Sequence, residues 1–303
     1  MCLTISLLAS ILSSMTLRFE ALAWGDDGHE VVGYIAQAFL TSGAASFVSE
    51  YLDSSYDGQL GPAATWADSV KYEKAYEWSQ PYHFVDAMDS PLSGSCSVEE
   101  TRDCDSEGCI LTAIANYTTR VTDTSLSKTQ RDEALKFLTH FLGDVTQPLH
   151  CENYEVGGND ISVTFNGASD NLHSVWDTGM IELNLKANYD DSVADYADAL
   201  VQRIQSGDLQ SQASGWIACV NPTEKLDSRA TISPLECPIE WARDANAYDC
   251  SYVFQYTKGS DLATTSYYTG AIPIIDVQLA KGGYRLAAWL NTLFDGSSGL
   301  PSK

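Results

Sequence analysis

The 303-residue chain carries only five histidines, His29, His83, His140, His150 and His173, each close to acidic or apolar residues. His140 and Asp144 are four residues apart, as are His173 and Asp177, a spacing that sets both side chains on one helical face. His150 follows His140 after the segment FLGDVTQPL, in which Pro148 can break or kink a helix and redirect the chain. Asp68 lies in TWADSV and His83 in PYHFVD. One His-x-x-x-Asp pair alone reads as a helix-stabilising contact, and Asp68 alone as a solvated turn or cap residue. Two such pairs on apolar helices, with His150 nearby, read differently. A buried carboxylate is costly unless it is paired or bound to metal. Imidazole with carboxylate oxygen suits zinc without any cysteine, and the Glu-x-x-His motifs of di-iron bundles are missing. These residue types point to a site for more than one zinc ion.

The elements that must position them read mostly as helix. Val31, Tyr34, Ile35 and Phe39 recur near helical spacing and predict a helix over 30–40, and 110–121 is another candidate. Ser127 with Gln130 forms a capping-box pattern ahead of Ala134, Leu135, Leu138, Phe141, Leu142 and Val145. Further helices are expected over 172–185, 193–204 (stopped near Gly207), 239–252 and 274–294. The alternation over 161–165, ending at the turn dipeptide Asn166-Gly167, is the good strand signal. With no repeat, low-complexity tract or long linker, a single mostly α-helical domain with a small β-hairpin is expected.

Composition sets the outer limits. A 44% hydrophobic share with 19% charged residues suits a sizeable core. Lysine plus arginine total 17 against 41 acidic residues, a formal charge of −24. That excludes ordinary nucleic-acid binding through a basic patch, though not phosphate chemistry run by metal ions, which bring their own positive charge. Residues 1–23 read as a signal peptide: an apolar stretch over 3–12, then Ala21-Leu22-Ala23. A membrane anchor is the alternative, but the run is well short of the ~20 residues that span a bilayer. The mature chain then starts at Trp24 and is secreted. Its seven cysteines fit an oxidising compartment, with Cys104 and Cys109 the easiest local pair and at least one thiol left over. Asn116-Tyr117-Thr118 is a glycosylation sequon.

WGDDGH at 24–29, TWADS at 65–69, HFVDA at 83–87, HFLGDVTQPLH at 140–150, GGN at 157–159 and NLHSVWDT at 171–178 stand in the order found in a known family. WARDANAYDC at 241–250 and AKGGYRLAAWL at 280–290 extend the match over nearly all of the mature chain. The chain resembles the secreted zinc-dependent single-strand nucleases of fungi and plants, the P-one-type 3′-nucleotidases. The resemblance implies a mostly α fold shared with bacterial zinc phospholipase C and three zinc ions in one cleft. The first zinc would take Asp68, His83, His140 and Asp144, and the second His150, His173 and Asp177. The third would use the main-chain amine and carbonyl of Trp24, the His29 ring and a bridging Asp144. Trp24 offers a free amine only after cleavage behind Ala23, so the uncut precursor should lack an intact third site.

The implied activity is hydrolysis of single-stranded RNA and DNA to 5′-phosphates, with removal of 3′-phosphates, and the catalytic residues would be Asp144 and Lys71. Lys71 stands where one branch of the family has arginine; it would neutralise phosphate charge without a bidentate fork, or else be a solvated surface residue. Phe84 would stack one base, Asp86 and Asn159 would hydrogen-bond its edge, and Val156 would close the other side. The alternatives are core packing for Phe84 and Val156 and a partner to a ligand histidine for Asp86. Ser169 and Gly179 replace the two tyrosines of a second, remote nucleotide site, so that site is not expected. The resemblance favours the disulfides Cys96–Cys250 and Cys104–Cys109, leaving Cys219–Cys237 as an extra pair and Cys151 as the unpaired thiol. A zinc phospholipase C acting on lipid phosphodiesters is the competing function.

Overall fold

A computed structural model describes residues 24–220 and 236–301, and the backbone alone of strand residues 225–226 and 229–230. Residues 1–23, with the expected signal peptide, lie outside the described residues. The chain opens with helices α1 (Asp26–Ala38), α2 (Ser42–Tyr51), α3 (Leu60–Ala64) and α4 (Trp66–Val70). After α5 (Glu100–Asp103) come α6 (Ile110–Thr122) and α7 (Lys128–Asp144). Strands β1 (Ser162–Phe165) and β2 (Ala168–Asn171) form an antiparallel hairpin. The chain then runs through α8 (Leu172–Ser174), a π turn at Val175–Gly179, α9 (Met180–Asn188), α10 (Val193–Ser206) and α11 (Gln210–Trp216). A short antiparallel pair, β3 (Lys225–Leu226) and β4 (Arg229–Ala230), precedes α12 (Glu236–Tyr248), which continues as a π turn at Asp249–Val253, and α13 (Ser266–Asp295). The mostly α domain with a small hairpin is what the sequence predicts.

Helix α7 starts where the capping box places it. The Ser127 hydroxyl accepts from the Gln130 amide at 3.3 Å and the Gln130 side chain accepts from the Ser127 amide at 3.1 Å, so orphan donors at the helix start are paired. From Ala134 onward every residue of α7 is buried, and α13 is buried all round from Gln278 to Thr292. Helices buried on all faces belong in a core, so these two form the axis on which the others pack. Helix α1 lies against both and against α3. Its approach to α3 requires glycine: a Cβ on Gly33 would meet the Gly61 backbone at 2.6 Å. Trp289 of α13 donates to the Thr118 hydroxyl of α6 at 2.8 Å, tying a third helix to the axis. That bond uses the threonine of the sequon, while Asn116 faces outward.

Several boundaries differ from the sequence reading. Helix α1 begins four residues early because Asp26 and Asp27 suit the positive end of a helix although neither continues the apolar period. Helix α13 begins at Ser266 and carries Pro273 inside it, so the predicted start at 274 is a correction. The span 172–185 is helical but interrupted by the π turn that contains Asp177. The hairpin turn is as expected, with Asn166 and Gly167 both left-handed at φ 52° and 79°. Disulfides join Cys96–Cys250, Cys104–Cys109 and Cys219–Cys237, and Cys151 is a buried free thiol. No helix among the described residues is long and apolar enough to cross a membrane.

Candidate metal centre and substrate cleft

The expected donors reach the same place from several elements. His29 comes from α1, Asp68 from α4, His140 and Asp144 from the last turns of α7, and His150 from the 3-10 turn Pro148–Cys151. Pro148 at the start of that turn carries the chain out of α7 and back across the cleft. His173 lies in α8 and Asp177 in the π turn, an irregularity common at functional sites. All eight side chains are at least nine-tenths buried. Their donor atoms gather into three groups that could each hold a metal ion: His29, His140 and Asp144; Asp68, His83 and His140; His150, His173 and Asp177.

Asp144 joins two of these groups through its two oxygens. Its Oδ1 lies 3.2 Å from His29 Nε2, and its Oδ2 lies 3.0 Å from His140 Nε2 and 3.1 Å from His83 Nδ1. Asp68 Oδ1 is 3.4 Å from both His83 Nδ1 and His140 Nε2. In the third group His173 Nε2 is 3.0 Å from Asp177 Oδ2, and His150 Nε2 is 3.6 Å from Asp177 Oδ1.

Backbone carbonyls fix which ring nitrogen is free. His140 Nδ1 donates to Ala64 O at 2.6 Å, His150 Nδ1 to His83 O at 2.8 Å and His173 Nδ1 to Gly157 O at 2.6 Å. Each donation leaves Nε2 with its lone pair, the form that ligates metal. In the neutral rings that a metal would bind, His150 Nε2 and His173 Nε2 face each other at 3.2 Å with no proton between them. Two lone pairs at that distance repel unless a cation lies beside them. Both ring nitrogens of His29, His83 Nε2, Asp68 Oδ2, Asp144 Oδ1 and Asp177 Oδ2 are buried without a hydrogen-bond partner. Buried polar atoms are nearly always satisfied, so this donor set fits metal ions.

Electrostatics within the nest are strongly coupled. Burial opposes ionisation of Asp144, yet His140, His150 and His29 outweigh it and hold the carboxyl well below its usual range. Burial also opposes protonation of His140, but Asp144 and Asp68 push that imidazole up to about 10. His83 moves the other way, down to about 4, chiefly through burial. Metal-free, the nest therefore stores protons on some histidines that a metal would have to displace.

Lys71 sits at the edge of the nest with its ammonium 2.7 Å from Asp68 Oδ1 and 5% of the residue exposed. That excludes a solvated surface lysine. Burial works against its charge, but Asp68 more than offsets this and holds the ammonium above its usual range. Lys71, His83, Phe84, Asp86, His150, Val156, Asn159 and His173 all line one cleft of 190 Å³. Phe84 is 38% exposed and Val156 60%, so neither is a core residue. Val156 lies in a run, Glu155 to Gly158, in which every residue has positive φ. For a β-branched residue this is a rare conformation that costs about 1–3 kcal/mol. The turn holds an apolar side chain out into the cleft, and Asn159 is tied to it by donating to Val156 O at 2.9 Å. Asp86 is half-buried, its acid raised by burial and then by Asp105 and Asp103.

Trp24 is fully buried, its indole donating to Gly143 O at 3.1 Å and to the Thr146 hydroxyl at 3.3 Å. The next residue, Gly25, donates its amide to Asp177 O at 2.8 Å. The start of the described chain is thereby held between Asp144 and Asp177. Ser169 lies on the exposed edge of the hairpin and Gly179 packs on Phe165.

Sequence matching decides the family. Residues 24–295 match the S1/P1 Nuclease family model. The chain belongs to the S1/P1 nuclease family. It is 45% identical to Nuclease P1 of Penicillium citrinum over 274 residues, 89% of this chain and 97% of that one. It is 43% identical to Nuclease S1 of Aspergillus oryzae over 289 residues, 93% of this chain and 96% of the relative. Endonuclease 2 of Arabidopsis thaliana is 34% identical over 282 residues, covering 89% and 90% of the two chains. As a member of this nuclease family, the chain is a hydrolase whose cleft joins a floor of residues that could hold metal to a wall that displays Phe84. Residue types alone did not mark Tyr72, Gln80, Leu149 and Glu152, which also line the cleft. Nor did they mark Gln147, which donates to Asp177 Oδ1 and accepts from the Leu149 amide. The signal for Gln147 was its place in the TQPLH segment between two expected ligands.

Proposed function

We propose that the chain is a secreted trinuclear-zinc phosphodiesterase. It cuts single-stranded RNA and DNA to 5′-phosphate products and removes terminal 3′-phosphates. The observation that carries this reading is Asp144, a buried carboxylate facing four histidines, next to a cleft that displays Phe84 and Val156. Asp68, His83, His140 and Asp144 would hold one zinc and His150, His173 and Asp177 a second. His29, Asp144 and the main chain of Trp24 would hold a third. Zinc bound in such a nest supplies Lewis acidity and a water acidic enough to act as nucleophile, so no general base from the protein is needed.

The protein's own groups do the rest. Lys71 places a buried ammonium beside Asp68, where it can take up phosphate charge developing in the cleft. Phe84 stacks a base, which only an unpaired strand can offer, and stacking tolerates any sequence. Asp86 and Asn159 hydrogen-bond the edge of that base, and Val156 covers its far side. Metal charge in the floor answers the −24 of the chain, which would otherwise repel a polyanion. The exposed Asn116 is the expected glycan acceptor on the secretory route.

The test is digestion of end-labelled single-stranded and duplex oligonucleotides, with and without a zinc chelator. Chelator-sensitive cutting of the single strand alone, leaving 5′-phosphates, is the expected result. No cutting by protein shown to hold zinc, with release of phosphocholine from a lipid substrate, would replace this reading with a phospholipase.

A further inference from the structure

Trp78 is a large apolar side chain that the proposed chemistry does not use, and it stands 48% exposed. Tryptophan is mostly covered in folded proteins, so an exposed one marks a surface that something meets. Its indole nitrogen donates to Ala75 O at 2.8 Å, which satisfies the polar edge locally and leaves a ring face without polar demand. The ring stands beside Tyr82 and Phe137, with centroids 5.8 and 5.6 Å away. These aromatics line a pocket of 250 Å³ that shares no residue with the substrate cleft. Its rim carries Asn116, the exposed asparagine of the glycosylation sequon. Arg120, one turn further along α6, and Glu133 of α7 stand on the same rim. Tyr76 donates to Glu133 Oε1 at 2.8 Å and fixes that carboxylate.

We propose that this pocket seats the first N-acetylglucosamine of a glycan on Asn116, packed against the Trp78 ring. The inference rests on the reading of the chain as secreted and of Asn116 as its glycan acceptor. An asparagine-linked sugar begins one bond from the side-chain nitrogen, so its first ring cannot leave the neighbourhood of a pocket that Asn116 itself lines. A pyranose presents C–H bonds on its face and polar groups round its edge. The face suits the uncommitted indole, and Arg120 and Glu133 offer a donor and an acceptor for the edge. The covalent tether supplies the effective concentration that a free sugar would lack. Trp78 and Tyr82 belong to the 3-10 turn Glu77–His83, which carries His83 to the floor of the cleft and leads into Phe84 of its wall. A sugar seated on them would brace that turn from outside, against Phe137 of α7.

The experiment uses the full chain secreted from a glycosylating host, beside Asn116→Gln from the same host. Glycopeptide mass spectrometry reads the occupancy of Asn116, hydroxyl-radical oxidation reads the exposure of Trp78, and melting curves read stability. With Asn116 occupied, most of the Trp78 oxidation seen in Asn116→Gln should be lost, and Tm should stand about 2–4 °C higher. Trimming the glycan to its first N-acetylglucosamine should preserve both effects; their loss on trimming would overturn the assignment to the first ring. In Trp78→Ala the Tm difference between the glycosylated form and Asn116→Gln should vanish, and its persistence would overturn the proposal. The oxidation readout needs no change at Trp78 and carries the test by itself if that variant does not fold. A bare Asn116 in the secreted protein would remove the acceptor reading and this inference with it. Equal oxidation of Trp78 with Asn116 occupied would overturn the packing alone, and slow oxidation in both forms of a dimeric chain would make a second copy the occupant.

Discussion

Floor and wall of the same cleft are built on opposite terms. The five histidines and three aspartates of the floor are buried, and three of the histidines donate to backbone carbonyls. The wall displays Phe84 at 38% and Val156 at 60% exposure, the latter on a left-handed turn. A floor whose donors are fixed before metal arrives would lose little order on binding it. A wall that only has to offer a flat apolar face can be altered one residue at a time.

The sharpest way to break this contrast is Asp144→Ala. It removes an oxygen from two donor groups at once, and activity should fall by more than about 100-fold, the loss that outer partners of ligands alone can reach. Near-parental turnover would show that Asp144 bridges nothing. Lys71→Met comes next: losing one preorganised positive group should lower kcat by about 10²–10³ with little change in KM. An equal rate with raised KM would make Lys71 a binding residue of the wall. Phe84→Ala should do the reverse, raising KM for single strands by roughly 10-fold or more, as one lost stacking contact of 1–3 kcal/mol implies, and sparing kcat. An unchanged KM would return Phe84 to a packing role.

The fourth prediction concerns protons. Against the opposing effect of burial, Asp144 raises His150 above its usual range and His140 to about 10 in the metal-free nest, so His140 carries a proton at pH 7 that a ligand cannot keep. Zinc uptake should then release protons, and affinity should weaken as the solution becomes more acidic. Calorimetry in buffers of different ionisation heat measures the number released; zero at pH 7 would mean the histidines enter the nest neutral.

The floor was legible in the sequence because histidine is scarce here and its spacing to aspartate has few other uses. The wall was not legible from residue types, since phenylalanine and valine occur everywhere; only the resemblance to a family marked Phe84 and Val156. The left-handed run that exposes Val156 has no sign in the sequence beyond the two glycines that end it. Burial of Lys71 was also hidden, because nothing in WADSVK tells which face of α4 meets the core. Long helices such as α7 declared themselves through caps and apolar period. Helices α3 and α4 have five residues each, too few for a period to emerge, and α3 contains Gly61 and Pro62.

Cys151 has a consequence for how the molecule is made. In the finished protein its sulfur is fully enclosed, 3.6 Å from Val145 O, and burial holds the thiol well above its usual range, so it is inert to oxidants. Before the α7 exit folds over it, the same thiol is open to exchange with any of the six cysteines that must pair correctly. Oxidative refolding should therefore pass through scrambled, mispaired species that Cys151→Ala cannot form. A higher yield of correctly bridged protein from that variant, counted by non-reducing chromatography, is the expected result, and an equal yield would mean the thiol is sequestered before the bridges close.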